Sequence, residues 1–165
     1  MSRKVYFESL CRLGEVSGPV SFETIAHAEE VLEVKFPKEY KEFLNEFGAA
    51  CFDIMEIYGL PEPEKNSPPL WQSVTHVTQQ LRKFGLLGEN KSTLVPFSDD
   101  GTGVYFCFDA AVSPDTRILA IGPGIERSLA SSLYDFVTDM AAGKVIFIAR
   151  LDMNSAAKYA GSSWE

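Results

Sequence analysis

"FPKEYKEFLNEFG", residues 36–48, settles how the first half of this chain is organised. Pro37 suits the start of a helix, where its missing N–H costs nothing and its fixed φ is already helical. Phe36, Tyr40, Phe43, Leu44 and Phe47 follow at i, i+4, i+7, i+8 and i+11, which gathers them into one narrow apolar stripe. Phe36 is placed to fold back near Tyr40 as a staple across the first turn. Gly48 can end the helix with a positive φ. The aromatic bulk is therefore core, and the carboxylates are left outside: Glu42 nearly opposite the stripe, Glu39 and Glu46 on its flanks.

Upstream, Ser21 reads as an N-cap, with Glu23 in the first turn where the helix dipole favours a carboxylate. Phe22, Ile25, Ala28, Glu29 and Leu32 define the inner side of that helix, and Glu23 and Glu30 point away. Tyr6, Leu10 and Leu13 mark a shorter helix before Gly14, with "GEVSGPVS" as a loop. Downstream, "CFDIMEIYGL" is rich in strand formers up to Gly59 and Pro61, and "PEPEKNSPP", residues 61–69, is a proline-rich loop. A helix is expected from about Trp71 to Phe84, with Trp71, Val74, Thr78 and Leu81 inward.

The period then changes to two. Val95 and Phe97 precede "DDGTG", and Val104, Phe106 and Phe108 follow it, which predicts two strands around a tight turn. "RILAI" is a further strand, "GPG" a turn, and a last helix starts near Ser131 or Ser132, presenting Leu133, Phe136, Val137 and Met140. Residues 144–151, "KVIFIARL", suit either a strand or a helical continuation. With no internal repeat and no linker, the order predicts one α+β domain over 1–165, a mostly antiparallel sheet covered by helices on at least one face.

A chain of 165 residues is long enough for one self-sufficient core, and its 45% apolar and 12% aromatic content is that of a globular protein. No apolar run approaches the roughly 20 residues needed to span a bilayer. "MSRKVYFESL" turns polar where a signal peptide needs its apolar core, so a cytoplasmic address is expected. Cys11, Cys51 and Cys107 are far apart among apolar neighbours and read as small buried hydrophobes. The net charge of −8 argues against nucleic acid as a direct ligand. Between Glu23 and Glu64 stand eleven acidic residues against three lysines, while the remainder carries twelve of each sign, so the whole excess lies in one segment.

Ile25, Glu29, "FP" at 36–37, Tyr40, Phe43, Leu44, "IYGL" at 57–60, "VPF" at 95–97, "DGTG" at 100–103, "YFCFD" at 105–109 and "SSLYDF" at 131–136 together resemble the SUKH superfamily, over about residues 20–140. That superfamily includes bacterial immunity proteins that bind and neutralise polymorphic toxins, and a domain of a fungal cell-wall synthesis regulator. One departure is Phe47-Gly48, where the family often has Asn-Gly; the glycine that a left-handed helix end needs is kept. The resemblance implies a SUKH-like fold and a non-enzymatic protein whose partner is a protein, most often a cognate toxin domain, in many cases a nuclease. A regulatory or scaffolding module with a non-toxin partner is the alternative.

Candidate partner-binding residues follow from charge: Glu23, Glu30, Glu42 and Glu46. The like-charge pairs Glu42/Glu46 and Glu29/Glu33 each cost only about 0.2–0.5 kcal/mol, little enough to persist on any solvated face. A solvated face and a binding surface complementary to a basic toxin both fit these residues. Asp99, Asp100 and Asp109 lack the alternating oxygen ligands and closing glutamate of a calcium loop and read as turn and strand-end residues, so no metal is expected. His27 and His76 sit on helices outside any nucleophile motif, and neither a P-loop, a dinucleotide fingerprint nor HExxH occurs. No catalytic residue and no cofactor are assigned. Trp71 is expected in the core, and Trp164 is given no role.

Overall fold

The computed structural model of the chain describes residues 2–62, 66, 71–88 and 92–144. In chain order these form α1 (Arg3–Leu13), β1 (Glu15–Val16), α2 (Phe22–Leu32), α3 (Lys38–Phe47), β2 (Ala50–Phe52), β3 (Met55–Ile57), α4 (Val74–Lys83), β4 (Leu94–Asp99), β5 (Tyr105–Asp109), β6 (Ile118–Gly122), β7 (Ile125–Ala130) and α5 (Leu133–Ala141). All strand pairs are antiparallel, in a three-stranded sheet β1-β2-β3 and a four-stranded sheet β4-β5-β6-β7. The α+β architecture expected from the sequence is the one observed.

The opening stretch does what its spacing implies. Tyr40, Phe43, Leu44 and Phe47 are buried, and Phe36 meets Tyr40 edge-on with ring centroids 5.3 Å apart. From α3 the aromatic stripe runs onto the four-stranded sheet: Tyr40 lies 4.8 Å from Phe108, Phe108 stacks on Phe97 at 4.1 Å, and Phe136 of α5 packs on Phe97 and Phe106. The other face of the sheet is also buried, by Leu94, Cys107, Leu119 and Ile121 against Leu81 of α4 and Leu87. Burial on both faces explains why "YFCFD" is apolar almost without a break.

Hydrogen bonds stitch the sheets together. The Tyr58 N–H donates to the Phe97 carbonyl at 2.7 Å, and Ser98 Oγ donates to the Glu56 carbonyl at 2.6 Å. The Tyr40 hydroxyl donates to the Tyr58 carbonyl at 2.6 Å, tying α3 to the same seam. Beside it the backbone crosses itself so closely that a Cβ on Gly59 would lie 1.6 Å from the Gly48 carbonyl oxygen, and Gly48 itself has φ +78°. The glycine of "IYGL" is thus required by the approach of another main chain.

Several expectations are corrected. The inner side of α1 is Phe7 and Cys11, and Leu13, two residues past Cys11 and so about half a turn away, is 85% exposed. Phe22 is 69% exposed, because the buried line of α2 begins a turn later at Ile25. Cys51 is exposed, since strand alternation turns it away from Ala50, while Cys11 and Cys107 are buried as expected. "CFDIMEI" is a hairpin of two short strands, and "GEVSG" contributes β1. The fourth helix starts at Val74 behind the N-cap Ser73, leaving the half-buried Trp71 before it, bonded through its backbone N–H and carbonyl to the Asn66 side chain. β7 is an additional edge strand after the "GPG" turn. Residues 145–151, where strand and helix were both open, and Trp164 lie outside the described residues.

Candidate functional site

The acidic segment divides into three kinds of carboxylate. Glu29, on the inner side of α2, is buried; its Oε2 accepts from the Phe36 N–H at 2.7 Å and pairs with Lys41 Nζ at 3.2 Å. It joins α2 to the start of α3 and takes no part in any surface. Glu23 and Glu30 are exposed on the outer side of α2, a helix without lysine or arginine, and among the described residues neither carboxylate has a hydrogen-bond or ion-pair partner. Ser21 caps that helix by accepting from the Thr24 N–H.

The carboxylates of α3 are engaged instead. Glu39 accepts from the Leu133 N–H at 2.8 Å and from Ser132 Oγ at 3.0 Å, at the N-terminus of α5 where a negative charge is favoured. Glu42 accepts from the Tyr134 hydroxyl at 3.1 Å and lies 3.7 Å from Lys4 Nζ and 3.9 Å from Lys38 Nζ. Glu46 binds Arg12 Nη2 at 2.7 Å; Arg12 also reaches Glu8 at 3.8 Å and holds its guanidinium 5.7 Å from the centroid of the Phe47 ring.

These contacts line a groove of about 490 Å³ between α1 and α3, with Glu8, Glu42 and Glu46 on its rim and Phe7, Phe43 and Phe47 in its floor. Burial first, and then the Glu42 hydrogen bond, pushes the Tyr134 hydroxyl well above its ordinary value. Under the groove, burial and then the negative charge of Glu46 push the Cys11 thiol up to about 12, so it stays protonated and unreactive.

The structure therefore brings Glu42 and Glu46 into one groove and leaves Glu23 and Glu30 outside it, on the free side of α2. Sequence reasoning missed Glu8, Lys4 and Tyr134 as lining residues, and Arg12 as the partner of Glu46. The i, i+4, i+8 spacing of Lys4, Glu8 and Arg12 was a visible signal of one charged helix side, but not of what it faces.

Elsewhere the acidic turn is structural. Asp99 Oδ1 accepts from the Gly101 N–H, Asp100 Oδ1 from the N–H groups of Thr102 and Val104, and Asp109 caps a 3₁₀ turn at Ala110–Val112 while pairing with Arg117 at 3.7 Å. The Tyr58 hydroxyl donates to Asp99. His27 and His76 are exposed on α2 and α4. Among the described residues no group of three or more His, Cys, Asp or Glu could hold a metal ion, and no helix is long and apolar enough to cross a membrane.

No curated protein matches the chain. A family model, SUKH_5, described as SMI1-KNR4 cell-wall, matches residues 8–142, from within α1 to the residue after α5. The match covers the two sheets and the acidic helices, so this chain belongs to the SUKH family of SMI1-KNR4 domains.

Proposed function

We propose that this chain is a non-enzymatic, single-domain protein-binding module that acts in the cytoplasm as an immunity protein, holding a toxin domain inactive by covering it. The observation that carries this reading is the acidic outer side of α2: the Glu23 and Glu30 carboxylates are exposed and have no partner among the described residues, on a helix without lysine or arginine, in a SUKH family member with a net charge of −8. Such a surface attracts a basic protein and repels nucleic acid, which fits occlusion of a nuclease's substrate site. An interface of ordinary size, about 1,200–2,000 Å² in total, is enough for one-to-one blockade.

The test is affinity capture from the native host's lysate at low and high salt, followed by expression of the captured domain with and without this chain. A stoichiometric fragment, held less well as salt rises, that arrests growth alone and is relieved by coexpression supports immunity. A housekeeping protein that is harmless alone would replace this reading with a regulatory or scaffolding one.

A further inference from the structure

The end of α4 sets an apolar knob beside an apolar hole. Phe84, the C-cap residue, is 64% exposed, and Leu86, two residues on, is 55% exposed. Next to them a shallow groove of about 560 Å³ lies between this turn and the ends of β5, β6 and β7. Leu87 and Ile121 line it nearly covered, Tyr105 and Ile125 line it half-buried, and Leu86 forms its lip. A lone surface phenylalanine is ordinary, but one set against an apolar groove of the same molecule makes the kind of patch that marks an interface. The charges at this end are of both signs. Lys83 holds its Nζ 5.7 Å from the Phe84 ring centroid and has no carboxylate partner among the described residues, and the groove carries one carboxylate, Glu126. The acidic excess of the chain lies between Glu23 and Glu64, a segment that contributes no residue to this groove, so two copies can meet here without bringing that segment into the contact.

We infer that this face pairs with a second copy of the chain about a two-fold axis, Phe84 of each copy entering the groove of the other. Knob and hole lie on one patch, which is what a contact closed by a two-fold axis requires, since each copy must offer both halves of the fit. The same axis sets Lys83 of each copy towards Glu126 of the other, so the charges are complementary across the contact. Glu126 keeps the contact it makes within its own chain and gains a second one. One aromatic knob per copy is a small interface core, so the pair is transient and half dissociated at about 100 µM. This inference goes beyond the binding of a toxin domain and does not depend on it, because the outer side of α2 contributes nothing to the groove.

The test is sedimentation equilibrium of the full chain from about 5 µM to about 1 mM, with backbone amide shifts followed over the same dilution series. A monomer–dimer equilibrium is expected, with shifts on dilution at Lys83, Phe84, Leu86, Tyr105 and Ile125. Phe84→Asp is expected to weaken the dimer at least about tenfold. The position is exposed, and an unchanged amide spectrum away from the groove verifies the fold. Lys83→Glu is expected to weaken it about fivefold, and Lys83→Glu combined with Glu126→Lys to recover most of that loss, which a contact elsewhere on the surface would not do. A chain that stays monomeric up to about 1 mM, a dimer indifferent to Phe84→Asp, or a charge exchange that restores nothing would overturn the inference. Groove amides that move in Phe147→Asp and not on dilution would overturn it too, by giving the groove to the apolar run 145–151 of the same chain.

Discussion

At the scale of single residues, neighbours of the same type do opposite jobs. Glu29 and Glu30 are indistinguishable in a charge count, yet the phase of α2 buries one against the Phe36 N–H and Lys41 and leaves the other in water. Replacing Glu29 by leucine strands a buried N–H and an ammonium group, and is expected to cost about 2–4 kcal/mol in urea unfolding, whereas Glu30→Leu should stay within about 0.5 kcal/mol. Equal effects of the two would mean that the Glu29 bridge contributes nothing. Gly59 is decided by geometry alone. Because an added Cβ would fall 1.6 Å from the Gly48 carbonyl oxygen, Gly59→Ala must push two main chains apart. A loss of more than about 3 kcal/mol, or failure to accumulate folded protein, is expected. Gly85→Ala meets open space and should cost only its positive-φ strain, about 1 kcal/mol.

At the scale of elements, legibility followed periodicity. The stripe of α3 was readable because it buries one consistent set of residues, and β4 and β5 because strands buried on both faces are dense in apolar strand formers. β7 was not, because "IERSLA" is an edge strand whose middle residues are exposed, and β1 is only two residues long. The helix expected from about Trp71 starts later, at Val74, because the Ser73 hydroxyl accepts from the His76 N–H and makes Ser73 the N-cap. The seam between the sheets has no sequence signal at all, yet it sets a pH dependence. Glu56 at this seam is half-buried, and its Oε2 accepts from the Gln72 N–H at 2.8 Å. Burial, followed by the charge of Asp99, raises its carboxyl above the ordinary 4.5 against the opposing Gln72 hydrogen bond. A raised carboxyl favours the folded state only while protonated, so its contribution is complete below 4.5 and is lost as pH climbs through the folded value. Glu56→Gln is therefore expected to gain stability relative to wild type as pH rises above that range, with the two urea midpoints changing in parallel below it. Parallel midpoints throughout would show that the seam does not disfavour the charge.

At the scale of the whole molecule, what matters is how charge is shared between surfaces. The sequence located the acidic excess correctly but could not say which carboxylates were already answered, since Lys4 and Arg12 reach Glu42 and Glu46 from α1, more than thirty positions away in the chain. Helical phase turns Glu23 and Glu30 outward, but only the packed arrangement of helices shows that no other described residue reaches their carboxylates. If these two carboxylates steer a basic partner, they act on its approach and little on its release. Glu23→Lys with Glu30→Lys should lower the association rate about tenfold at low ionic strength, with the dissociation rate nearly unchanged, and the difference should fade as salt approaches about 1 M. Stopped-flow association with the captured toxic domain measures both rates. A double lysine variant that associates as fast as wild type at low salt would mean that α2 is a solvated face, and that the partner approaches the molecule from another side.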